Sequence, residues 1–178
     1  MVELMVVVAI LGITAAVSLR SFTRNPTGED ARKVAGLMST AYRTAVGGGA
    51  VRSDVALATG IKARAQIEFS VASGQFLVTV YKLVEDALPL HSSSWVPVST
   101  AILSPDVEVY AITAAAATLP GSAPTASAFG TPITKSYFPD GTSDAFTVFL
   151  RLATNIAATR YRVVGMPLSP APQMYRDW

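Results

Sequence analysis

Side chains able to do chemistry are scarce in this chain. None of its 178 residues is Cys and one is His. A thiolate metal site, a disulfide framework and a multi-histidine metal centre therefore have no ligands to draw on. His91 sits in Leu88-Pro89-Leu90-His91-Ser92-Ser93-Ser94. Paired with Asp86 or Asp106 and one of Ser92 to Ser94, it would supply the base, the orienting acid and the nucleophile of an acyl-transfer site. No nucleophile-elbow motif accompanies it, and a Ser-rich loop explains the same residues. Asp140 and Asp144 flank Pro139-Asp140-Gly141-Thr142-Ser143, where turn geometry accounts for Asp140 without ligand duty. Gly47-Gly48-Gly49 lacks the Lys-Ser/Thr ending of a phosphate loop. The expectation is no catalytic residue, no metal, no cofactor and no enzymatic activity.

One carboxylate is out of place. Glu3 is the only charged side chain in Met1 to Leu19, MVELMVVVAILGITAAVSL. As a helix this stretch would span roughly 28 Å, near the thickness of a bilayer's hydrocarbon core. A carboxylate there is costly to bury and usually has a partner or faces water. Three readings compete. A cleaved secretory signal has a small-residue site in Ala16-Val17-Ser18, but the opening charge is negative where a basic region belongs. A plain single-span anchor explains the hydrophobicity and leaves Glu3 without a role.

The third reading rests on Val2 to Ile13, VELMVVVAILGI, which resembles the N-terminal methylation motif of type IV pilins and pseudopilins. In that family a Phe-Thr-Leu-Ile/Val-Glu-Leu start follows a short basic leader ending in Gly. A leader upstream of Met1 is expected on this resemblance. Arg20 and Arg24 follow the apolar run, and taken alone they would place the C-terminal side in the cytoplasm; a basic leader reverses that orientation. The resemblance implies a single-pass inner-membrane protein with a periplasmic C-terminal domain, found also at the tip of a pilus or pseudopilus. It implies that Glu3 pairs with the N-terminal amine of an adjacent subunit during assembly, with Val2, Leu4 and Met5 packing beside it.

The rest of the chain must carry that segment. With 178 residues, 51% hydrophobic and 15% charged, the full chain has material for one ordinary domain plus that segment. Asn25-Pro26 breaks the first helix, and Thr27 with Asp30 reads as a capping box. Val34, Leu37, Met38, Ala41, Tyr42, Ala45 and Val46 then mark one apolar face, with Arg32, Lys33 and Arg43 elsewhere on the cylinder. Strict alternation over residues 61–69, a turn at 72–75 and an apolar run over 76–83 predict an antiparallel hairpin. Residues 85–94 read as a loop, 95–99 and 107–113 as strands, and 146–152 and 160–164 as two more. Residues 114–132, small, uncharged and Pro/Gly-punctuated, read as a flexible loop.

The fold class expected is α+β and pilin-like. A long N-terminal helix, with a membrane-spanning half and an amphipathic half, packs on antiparallel β-sheets. Residues 1–24 form the transmembrane and assembly helix, 25–46 its amphipathic half, and 47–178 a β-rich globular domain. Phe138 to Ser143, Thr147 to Leu150 and Arg160 to Val164 look like the C-terminal sheet of the GspH/FimT class of minor pilins. Ala41 to Val46 is similar to the Ala-Arg-x-x-Ala region of their helix. A structural minor pilin that helps prime a type IV pilus at its tip is the function implied; a minor pseudopilin of a type II secretion system is the alternative. The partners implied are other minor pilins, the major pilin, a pilus-tip adhesin, the membrane and the inner-membrane assembly platform. A DNA-binding minor pilin for uptake is a third reading. Residues 133–178 set Lys135, Arg151, Arg160, Arg162 and Arg176 against Asp140, Asp144 and Asp177, a net +2. That is far short of a basic stripe, and nucleic acid is not an expected partner.

Overall fold

The computed structural model describes residues 5–14, 25–47, 63–85, 93–119, 121, 124–154 and 159–178. Residues 5–14 are helical (α1), and a second helix, α2, covers Pro26–Val46. Eight strands follow among the described residues: β1 (Ala65–Ala72), β2 (Gln75–Glu85), β3 (Ser93–Ile102), β4 (Val107–Thr113), β5 (Ile133–Tyr137), β6 (Phe146–Leu152), β7 (Tyr161–Gly165) and β8 (Gln173–Arg176). They form two four-stranded antiparallel sheets. Sheet A has the order β3-β2-β1-β5 and sheet B the order β4-β6-β7-β8.

This architecture corrects the expected fold class. The described chain is mostly β, and it has two short helices in place of one long N-terminal helix. The reason is local. Asn25 has φ −109° and ψ 84°, outside the helical region, and its side chain accepts the Gly28 amide at 3.0 Å. It is the N-cap, and Pro26 follows in the first turn, where its missing N–H leaves no bond unmade. α2 therefore starts afresh at Pro26. The expected cap, Thr27, lies inside the helix with its hydroxyl buried and unpartnered.

The expected localisation is corrected with it. Among the described residues no helix is long and apolar enough to cross a membrane. A single-pass inner-membrane anchor with a periplasmic domain is not supported.

α2 buries Ala31, Val34, Leu37, Met38, Ala41 and Ala45. They share one core with Ile67, Phe69, Val78 and Val80 of sheet A and with Phe146, Val148, Leu150 and Val163 of sheet B. Phe146 joins the layers, edge-on to Phe69 at 6.2 Å and to Tyr137 at 6.5 Å. Gly165 is fixed by close approach: a Cβ there would stand 2.8 Å from Met38 Cε and 3.0 Å from the Phe146 ring. The β1–β2 hairpin closes through Ser73 and Gly74, both at positive φ, 52° and 76°. That backbone matches the twist of the paired strands.

Asp30 locks helix to sheet. Fully buried, it pairs with Lys33 at 2.6 Å and accepts the Ser104 amide at 2.6 Å. Its role is to satisfy the turn after β3 rather than to cap its own helix.

Candidate functional site

Of the residues proposed for assembly, Val2, Glu3 and Leu4 lie outside the described residues. Met5 opens α1. Every residue from 5 to 14 is exposed, and Met5, Val6, Val7, Val8, Ile10, Leu11 and Ile13 leave 52–75% of their surface open. On a 3.6-residue period these seven side chains point around the whole cylinder. α1 therefore differs from α2, which has one apolar face and a core to cover it. A helix hydrophobic all round belongs in a buried setting, and the body of the protein does not provide one.

The residues weighed for catalysis do not converge. His91, Ser92 and Asp86 lie outside the described residues. Asp106 is exposed in the turn before β4, where its carbonyl accepts the Ala153 amide. Asp140 bonds the Thr142 amide and hydroxyl at 2.9 and 2.7 Å, and those bonds hold its carboxyl below the ordinary value. Asp144 instead accepts the Ser136 amide at 2.8 Å, tying the start of β6 to β5. Gly47 ends α2 by donating to the Arg43 carbonyl. Among the described residues no three His, Cys, Asp or Glu side chains gather to hold a metal ion.

A polar feature that the sequence reading missed lies on the face of sheet B away from α2. The Arg151 guanidinium lies 4.0 Å from the centre of the Tyr110 ring and pairs with Glu108. Tyr110 stacks on Trp178 at 5.4 Å, and Arg160 lies over that indole at 5.0 Å. Arg162, 3% exposed, donates to the Thr118 carbonyl and lies over Tyr175. The signal was the two-residue alternation of β4 and β6, which puts Glu108 opposite Arg151; Tyr110 sits where the register shifts, and Phe149 lies opposite Ala111. The rings and cations stack on one another, while Arg162 Nε and Trp178 Nε1 are buried there without a hydrogen-bond partner. Thr147 and Arg162 also tie down residues 115–118, through the Ala115 carbonyl, the Ala117 amide and the Thr118 carbonyl.

Comparison with family models, with curated proteins and with solved structures gave no match. Among the described residues, α1 carries the longest run of exposed large apolar side chains.

Proposed function

We propose that the chain is a structural subunit of a type IV pilus-like filament, a minor pilin that joins the assembly through its apolar N-terminal segment. The observation that carries this reading is the full-circumference exposure of α1. Seven large apolar side chains stand in solvent around one helix, while α2 and the two sheets complete a core without them. Burying each such side chain returns about 1.5–3 kcal/mol. Like helices of neighbouring subunits supply that burial in a filament. The Val2 to Ile13 resemblance supports the same reading. It gives Glu3 its part, a carboxylate whose charge must be matched inside a dry helical bundle.

The test is incorporation into sheared surface filaments, scored in cells whose only copy is a variant. Ile10→Asp places a charge in the packed helices and should abolish incorporation while the body folds normally. Glu3→Ala should reduce it by leaving the partner amine unmatched. Normal incorporation of both variants would remove the basis for this function.

A further inference from the structure

α2 ends at Gly47, but sheet A continues beyond it. Lys82 shares a sheet face with the core residues Val78 and Val80 by two-residue alternation, and Val96 lies opposite Lys82 on β3. The helix stops short of covering this end of the face, so Val84, Val96 and Val98 are exposed there. Between the last turn of α2 and this shelf lies a groove of about 430 Å³, lined by Thr40, Arg43, Thr44, Gly47, Lys82 and Val98.

Its electrostatics are one-sided. Arg43 and Lys82 both line it, and the ion pairs among the described residues, Lys33 with Asp30 and Arg151 with Glu108, involve neither. Val98 is the aliphatic residue of the lining, and the exposed Val96 lies two positions away on β3. β3 is an outer strand of sheet A in the described residues, and an outer strand offers backbone groups to an added extended segment.

We propose that this groove docks an extended, acidic segment of a neighbouring polypeptide. Carboxylates of that segment face Arg43 and Lys82, and its apolar side chains lie on Val96 and Val98. Charge complementarity selects the occupant: two cations in no ion pair among the described residues, beside the exposed Val96 and Val98, fit a chain that alternates acidic and apolar residues. The neighbour is a different subunit of the assembly, not a second copy of this chain, and in that respect the inference rests on the filament reading.

The purified full chain, in a non-ionic detergent, is titrated into a labelled peptide alternating Asp and Val, and binding is followed by fluorescence anisotropy. Binding should weaken as salt rises and drop at least tenfold in R43E/K82E. A peptide alternating Lys and Val should not bind. Both cations are exposed, so the double variant should keep the wild-type melting temperature; R43Q/K82Q, which removes charge without reversing it, should show an intermediate loss. Equal binding by wild type and both variants would overturn the proposal. So would displacement of the peptide by an equal concentration of inorganic phosphate, which would mark a simple ion site. Self-association of the wild type that disappears in R43E/K82E would also overturn it, by assigning the groove to a second copy. Peptide binding is read on the isolated protein, so its failure leaves filament incorporation standing, and failed incorporation of Ile10→Asp leaves the groove standing.

Discussion

Asp30 shows how much one side chain organises. It is fully buried, yet it reaches both Lys33 on its own helix and the Ser104 amide beyond β3. Asp30→Ala leaves that amide unpaired inside the protein and should cost about 2 kcal/mol or more. Lys33 is partly in solvent, and Lys33→Ala should cost less, about 1 kcal/mol. Urea melts of the two variants check the order; an equal or larger loss at Lys33 would contradict the lock. Helical periodicity places Lys33 on the open side of α2, where its removal would be neutral. The buried carboxylate beneath it makes the difference, and a partner 74 residues away has no local signature.

Tyr137 adds a pH dependence. Burial, and after it the nearby Asp144 carboxylate, raises its phenol above the ordinary 10.0. The folded value lies above the unfolded one, so the stabilisation is complete below pH about 10 and is lost as the pH climbs above it. Tyr137→Phe should flatten the alkaline limb of the stability profile. An unchanged limb would show that the phenol ionises as readily folded as unfolded.

At the scale of elements, α2 and the strands were legible in unequal measure. The apolar stripe Val34, Leu37, Met38, Ala41 and Ala45 became the buried face of α2, because a helix in contact with a core must repeat every three or four residues. Tyr42, on the same stripe, packs half-buried with its hydroxyl beside Gly141, the glycine whose φ of +83° makes the 138–142 turn possible. Replacing Met38 by Ala should cost about 2–5 kcal/mol, because its side chain fills the space over Gly165 and beside Phe146; thermal unfolding measures it. A loss under 1 kcal/mol would place Met38 outside the core.

The hairpin turn at Ser73-Gly74 and the β4, β6 and β7 strands were readable from alternation and turn residues. β5 and β8 were not. Ile133–Tyr137 is polar and short, and it becomes a strand by pairing with β1. Gln173–Arg176 follows three prolines and pairs with β7. Both owe their structure to a partner rather than to their own pattern. The stretch 93–102 was expected to yield a five-residue strand. It extends to ten because an outer strand tolerates Pro97, with a register shift between Val80 and Tyr81. The helix start moved from Thr27 to Asn25 because both residue types can cap; the structure shows Asn25 bonding the Gly28 amide and donating to the Tyr161 hydroxyl at 3.0 Å.

For the whole molecule, the two sheets and α2 bury a shared core, and α1 stands outside it with its apolar side chains in solvent. On the proposed filament reading, the body folds alone and α1 packs against other subunits. The absence of cysteine makes it directly measurable. In an Ile10→Cys variant the introduced thiol is the only one, so its reaction with a maleimide reports the exposure of α1 alone. The account predicts fast labelling of the detergent-dispersed subunit and strong protection, at least tenfold, in sheared filaments. Arg32→Cys, on the exposed side of α2, controls for general access of the reagent. Equal labelling of Ile10→Cys in the dispersed and assembled protein would contradict the account, because α1 would then be as open to solvent in the filament as it is in the single chain.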